Sequence, residues 1–386
     1  MTYRCSRREF ISGTLRMIPA CSLWLTGHGY AGKKEEEEEE GHTAMSARHS
    51  WEIPKASFFE ALPGEEVQCL LCPRTCFIGE GERGTCRTRE NRGGTLHSLV
   101  YGKPCAVSVE PIEKAPLYHF MPGHRRLCIA TVGCNLTCSY CQNWHISQRT
   151  VEEVQYQPLP PAEAVELGKA NGVSSICFTF TEPVVCYEYL YETALLAKQA
   201  GIHTAMVSNG YINTEPLKRL LTTVDAIKID LKAFDDEFYR TVSSGRLEPV
   251  LQTLGVIARE GNWLEIVNLV VPTLNDQPGQ ITGMCRWILQ NLGAHVPLHF
   301  TRFFPMYRLT SLPATPVETL EKARESAREA GMEYVYIGNV PGHRGNSTYC
   351  PRCGTPLVVR MQFEIVENRM DHDACPSCGE KIPGLW

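Results

Sequence analysis

Residues 134–141 read C-N-L-T-C-S-Y-C and place three thiols, Cys134, Cys138 and Cys141, in a C-x3-C-x2-C array directly after the apolar run 127–132. A cubane [4Fe-4S] cluster takes four ligands, so a chain that supplies three leaves one iron open to bind a small molecule. Adding His145 gives C-x3-C-x2-C-x3-H, a three-cysteine, one-histidine set that zinc accepts instead. What separates the two readings is what the rest of the chain brings to the same place.

Two further arrays flank this one. Cys69, Cys72, Cys76 and Cys86, with Gly79, Gly81 and Gly84 before the last cysteine, can double back so that four thiolates converge on one metal. Four protein ligands close a site, which means structural zinc or an electron-transfer iron-sulfur cluster; spacing leaves both open. The third array is a pair of C-P-x-C-G knuckles, Cys350 with Cys353 and Cys375 with Cys378, the pattern of a rubredoxin-like or zinc-ribbon module, and zinc is the expected metal. These arrays account for eleven of the eighteen cysteines, so metal binding rather than cross-linking explains the cysteine content.

The formal charge of −5 over 386 residues comes largely from the glutamate run 35–40, and no basic stripe remains to favour nucleic acid. Ribbons often bind nucleic acid, but Glu364, Glu367, Asp371 and Asp373 give this one the wrong sign. Residues 1–31 contain S-R-R-E-F-I, a twin-arginine-like export signal, and a small-x-small site at Gly29, Tyr30 and Ala31. Arg16 and Pro19 break the apolar stretch, which is too short to span a membrane. Residues 32–50 read as a charged, disordered linker.

The elements that must position the chemistry follow from 127 onward, where short β-rich runs alternate with helical patterns. Strands are expected over 127–131, 176–180, 204–208, 226–231, 264–271 and 298–303. Helices are expected over 161–170, 187–200, 214–221, 247–260, 281–292 and 317–330, the last bounded by Pro316 and Gly331. The predicted class is α/β: a partial (β/α)6 barrel over 121–343, a four-cysteine module over 51–120 and another over 344–386. Ligands in such folds sit at the carboxyl ends of strands. Those ends offer Glu182, an acceptor for an ammonium group or a plain helix N-terminal acid, and Asn209-Gly210, a turn suited to close backbone approach or an ordinary loop. They also offer Asp230 and Lys232, which either bind a ribose and a carboxylate or pair with each other. His299 and Arg302 fall on opposite faces of one strand, and His299 is favoured as the inward one. His119 reads as a packed or capping histidine, with a chemical role as the second reading.

Taken together, C-L-L-C-P-R-T-C, E-P-I-E-K-A-P-L-Y-H-F-M-P-G, G-C-N-L-T-C-S-Y-C-Q-N-W-H-I-S-Q, F-T-F-T-E-P, V-S-N-G-Y, I-D-L-K-A-F and C-P-S-C-G-E-K-I-P-G-L-W resemble the radical S-adenosylmethionine (SAM) enzymes of the AmmeMemoRadiSam system, relatives of pyruvate formate-lyase activating enzymes. The resemblance runs from Cys69 to Trp386. It implies a radical SAM barrel with a [4Fe-4S] cluster on Cys134, Cys138 and Cys141 and Tyr140 beside the last ligand. It further implies SAM contacts around Glu182, Asn209, Gly210, Asp230, Lys232 and His299. Expected activity is reductive cleavage of SAM to a 5′-deoxyadenosyl radical that abstracts hydrogen from a protein, peptide or small molecule, in the manner of an activase. Expected partners are a low-potential donor of flavodoxin or ferredoxin type and Memo-like and AMMECR-like proteins. SAM and strong reductants are cytosolic, which sets the twin-arginine-like segment against a cytoplasmic location. A different class of function, a non-catalytic zinc-binding interaction scaffold, predicts zinc at all three arrays.

Overall fold

The computed structural model describes residues 53–386, which form one compact unit. The twin-arginine-like segment and the acidic linker lie outside the described residues.

An eight-stranded sheet organises the unit: β1 (Ala106–Pro111), β2 (Arg125–Ala130), β3 (Ser175–Phe178), β4 (His203–Ser208), β5 (Ala226–Asp230), β6 (Trp263–Val270), β7 (Leu298–Arg302) and β8 (Val335–Gly338). Each strand pairs with its neighbours in sequence, and β2 to β8 run parallel while β1 pairs antiparallel with β2. Parallel neighbours need crossovers, and these are α1 (Pro161–Ala170), α2 (Tyr187–Gln199), α3 (Thr214–Leu221), α4 (Leu247–Glu260), α5 (Pro278–Asn291) and α6 (Val317–Glu329). The sheet does not close on itself, because β1 and β8 are its two edges.

Local sequence accounts for the helices. In α4 the buried Val250, Leu251, Leu254 and Ile257 recur at helical spacing, and Gly261 ends the helix at φ +84°. In α3 Leu217, Leu220 and Leu221 are buried while Lys218 and Arg219 face out. The six anticipated crossovers and six anticipated strands are present with ends moved by up to three residues. Two strands add to them: β8, and β1, which is drawn from the stretch assigned to the N-terminal module.

That N-terminal segment forms a small antiparallel sheet (Phe59–Ala61, Val67–Cys69, Phe77–Ile78) and a hairpin (Arg89–Arg92 with Thr95–Ser98). It is fastened to the barrel by Arg89, which donates to Ser57 O at 2.8 Å and pairs with Glu188 of α2 at 2.5 Å. The C-terminal segment pairs Pro356–Met361 with Glu364–Asn368 and packs Leu357, Val358 and Ile382 onto Tyr118, Tyr334 and Tyr336. Its buried Arg360 donates to Tyr118 O and Thr348 Oγ1, both at 2.8 Å. Among the described residues no helix is long and apolar enough to cross a membrane.

Candidate functional site

Strand β2 ends at Ala130 and hands the chain to the cysteine loop at the carboxyl edge of the sheet. Gly133 turns the loop at φ +93°, where a side chain is excluded: a Cβ would lie 2.4 Å from Thr88 Cγ2 and 2.6 Å from Cys86 O. Beyond it, Thr137 N–H and Ser139 N–H donate to Ser243 O and Val242 O, which pins the loop to the segment after β5. The loop ends in a helical turn, Trp144–Ser147.

Cys134, Cys138 and Cys141 all line one cavity of about 860 Å³. Tyr140, Glu182, Asn209, Asp230 and Lys232 line it too, so the structure brings together most of the residues singled out in the sequence. His145 is exposed and does not line the cavity. Among the described residues, the only set of three or more metal-ligating groups with ligand atoms within 4.8 Å of one another is Cys350, Cys353, Cys375 and Cys378. The three-cysteine, one-histidine zinc arrangement is therefore not formed.

The residues at the cysteine loop suit an iron-sulfur cluster. Burial, and next the Glu182 carboxylate, push the Cys134 thiol well above its usual range, and burial also raises Cys138 against the pull of Lys232. Buried thiols in that state ionise in exchange for a cation. Donors are already aimed at one sulfur: Leu136 N–H at 3.4 Å and the Asn209 amide at 3.7 Å from Cys134 Sγ. The Ser147 hydroxyl is 3.3 Å from Cys141 Sγ.

Glu182 follows β3 and is nearly sealed from solvent. Its Oε1 accepts from Ser208 Oγ at 2.7 Å and from Val184 N at 3.1 Å, and its Oε2 accepts from Asn209 N at 2.8 Å. It thus caps the short helix Pro183–Cys186 and ties β3 to β4. Three of about four lone-pair positions are used, which leaves one free on a residue that lines the cavity. Asn209 links this carboxylate to the loop through its amide donation to Asn135 Oδ1 at 2.9 Å.

Asp230 sits between Lys228, which donates to it, and Lys232, whose Nζ is 3.0 Å from Oδ2. Burial opposes charge on Asp230, but the two ammonium groups outweigh it and hold the carboxyl at about 2. Burial also opposes charge on Lys232, and Asp230 outweighs that, carrying the lysine well above its usual range. So Asp230 and Lys232 do pair with each other while still facing the cavity. Lys228 was missed in the sequence although its signal was there: Lys228, Asp230 and Lys232 alternate in I-K-I-D-L-K and so share the inward face.

Two of the residues expected to contact SAM do not line the cavity. His299 does face inward, but it does not line the cavity: Tyr118 stands edge-on to its ring at 4.8 Å, and its Nε2 is committed to Glu265. The position in the layer that reaches the cavity is Thr301, two residues on. Gly210 does not line the cavity either; a Cβ there would meet Ile229 and Val250 at 3.1 Å, and its φ of +73° serves the turn that presents Asn209. His119, the packed histidine, lies fully buried between Tyr336 Oη and Pro383 O.

In the C-terminal module Sγ of Cys350 and Cys378 are 3.6 Å apart, and Sγ of Cys353 and Cys375 are 3.7 Å apart. Cys69, Cys72, Cys76 and Cys86 line a separate, much smaller recess of about 20 Å³.

Residues 128–282 match the Radical SAM superfamily. An uncharacterized protein of Methanocaldococcus jannaschii is 46% identical over 330 residues, which is 85% of this chain and 98% of that protein. A pyruvate formate-lyase-activating enzyme of Listeria monocytogenes is 26% identical over 172 residues, 42% of this chain and 69% of that enzyme. Among solved structures, a radical SAM methyltransferase from Sphaerobacter thermophilus aligns with a TM-score of 0.46 at 14% identity, over 57% of this chain and 68% of that one.

Proposed function

Because this chain belongs to the radical SAM superfamily, whose members use a [4Fe-4S] cluster and SAM, we propose that it is an activase-like radical enzyme acting on a protein, peptide or small molecule, with the cluster on Cys134, Cys138 and Cys141. The observation that carries this reading is a set of three buried or half-buried thiols, with no fourth ligand among the described residues drawn to them, facing a cavity of about 860 Å³ lined by Glu182, Asp230 and Lys232. When bound, the cluster and SAM supply one-electron cleavage of a carbon-sulfur bond and hence a deoxyadenosyl radical able to take hydrogen from an unactivated C–H bond.

The chain's own residues bind and orient. Glu182 offers its remaining lone pair to the SAM ammonium group, with Asn209 fixing the carboxylate's position relative to the loop. Asp230, held at about 2, stays an acceptor for ribose hydroxyls throughout the neutral range. Lys232 keeps its charge for the SAM carboxylate, and Tyr140 supplies an aromatic wall. At the cavity rim the C-terminal hairpin contributes Gln362 and Phe363, with Met361 exposed beside them. That apolar rim supports a protein or peptide substrate over a small polar molecule. The relatives named as activating enzymes support the same choice. Electrons come from a donor of flavodoxin or ferredoxin type, and Memo-like and AMMECR-like proteins are the proposed partners.

The C-terminal four cysteines are proposed to hold zinc. Zinc-sulfur bonds of about 2.3 Å in a tetrahedron place the sulfurs about 3.8 Å apart, close to the 3.6 and 3.7 Å found.

The test is anaerobic reconstitution with iron and sulfide, then dithionite and SAM, with 5′-deoxyadenosine as the readout. Wild type makes it and Cys138→Ala makes none. Production by the variant, or SAM binding unchanged by loss of the cluster, overturns the reading.

A further inference from the structure

We propose that Cys69, Cys72, Cys76 and Cys86 hold a second [4Fe-4S] cluster, closed by four cysteines, which relays electrons to the cluster on Cys134, Cys138 and Cys141. The relay rests on the radical reading above; the metal assignment does not.

The molecule carries its own comparison. In the C-terminal module the four sulfurs are drawn within 4.8 Å of one another, as a single ion requires. The N-terminal four line a common recess, yet they do not form such a set. A cubane holds each sulfur on a different iron, so its ligands stand farther apart than those of one zinc ion. The recess is walled by Leu71, Ile78, Val184 and Val185, which leaves no room for a substrate and suits a closed, low-polarity redox site.

Position supplies the second argument. Asn135 lines the N-terminal recess, while Cys134, its neighbour in the chain, lines the main cavity. The carbonyl of Cys86 abuts Gly133, the residue before Cys134. With consecutive Cα atoms 3.8 Å apart, the Cα atoms of Cys86 and Cys134 lie within about 10 Å of each other. Arg74, between Cys72 and Cys76, donates to the carbonyls of Asn135 and Ser244. Thr88 spans the gap, its hydroxyl 3.3 Å from Cys86 Sγ and 3.1 Å from Val185 O. A zinc that merely stabilised a surface module would have no need of a place against the back of the open-cluster loop.

Electrons balance in single steps. A low-potential one-electron donor of flavodoxin or ferredoxin class reduces the N-terminal cluster from [4Fe-4S]2+ to [4Fe-4S]+. That cluster returns to 2+ as the open-site cluster goes from 2+ to +, and no proton moves.

The experiment uses the full chain, purified and reconstituted anaerobically. A variant with Cys134, Cys138 and Cys141 all changed to Ala is expected to keep about four irons and four sulfides, with a paramagnetic signal on reduction that SAM does not alter. Zinc without sulfide at that site overturns the cluster assignment, and it does so without touching the radical reading, since wild type would still make deoxyadenosine. For the relay, Cys72→Ala is expected to slow reduction of the open-site cluster by reduced flavodoxin at least tenfold in freeze-quenched spectra; an unchanged rate overturns it. If Cys72→Ala fails to fold, Thr88→Val removes a hydroxyl donor from the Cys86 sulfur and should lower the midpoint potential of the N-terminal cluster alone. An unchanged potential there counts against a cluster on Cys86.

Discussion

Nε2 of His299 lies 2.7 Å from Oε2 of Glu265, and neither side chain reaches solvent. The other oxygen of Glu265 accepts from His119 N at 2.8 Å and from the Trp263 indole at 3.1 Å. These contacts plug the barrel beneath the cavity and join β6 and β7 to the segment around His119 and to the C-terminal module. Burial lowers His299 despite its carboxylate partner, while burial would raise Glu265 but the two histidines hold it below the usual carboxylate range.

Acid should therefore unfasten the plug. Burial holds His119 at about 4, against 6.5 for the exposed ring. Between those values the unfolded chain takes up a proton that the folded chain refuses, so stability falls as pH falls. The loss begins near pH 6.5 and is complete below pH 4, amounting to about 3 kcal/mol from this one group. His299 and His124 are lowered too and add in the same direction, and Glu265 loses its contribution as it is protonated. Thermal unfolding followed from pH 7.5 to 4.5 should show a steadily falling Tm, and His119→Gln should flatten that slope. A Tm independent of pH over this range refutes the account.

The cysteine loop was legible in the sequence because metal-ligand spacing is local, and the crossover helices because an apolar face repeats within each. The two added strands were not. Val335–Gly338 is four residues long with no crossover helix after it, and Ala106–Pro111 is half-buried along its whole length, the weak pattern of an edge strand. Depth along an inward face was equally hidden. Alternation places His299 and Thr301 on one side of β7, but which of them meets the cavity depends on Tyr118, supplied from the far side of the barrel.

Glu182 should prove structural and ligand-binding at once. Glu182→Ala leaves Ser208 Oγ, Asn209 N–H and Val184 N–H without their acceptor in a dry site, a loss of about 3 kcal/mol or more. Glu182→Gln retains one acceptor oxygen and should cost about half as much. Both remove the charge offered to the SAM ammonium group, so SAM affinity should drop about tenfold, or 1.4 kcal/mol, in each. Chemical denaturation and equilibrium dialysis separate the two effects. Full SAM affinity in Glu182→Gln would reduce Glu182 to a helix cap.

Metal removal should separate the C-terminal module from the open-cluster loop. Cys350, Cys353, Cys375 and Cys378 close on one another away from the cavity, so a metal ion held there would stabilise the module's fold rather than take part in chemistry. A structural zinc contributes roughly 10 kcal/mol to a small domain of this kind, far more than the Leu357, Val358 and Ile382 contacts that hold the module to Tyr118 and Tyr336 can replace. Cys378→Ser should therefore release one zinc per chain and render residues 344–386 sensitive to protease. Iron bound at Cys134, Cys138 and Cys141 should remain, because those ligands are set by β2 and by the loop's hydrogen bonds to Ser243 and Val242. Metal analysis of the variant beside limited proteolysis decides it: loss of iron along with zinc would mean that the module supports the loop directly, and retention of zinc would mean that the four sulfurs are not its ligands.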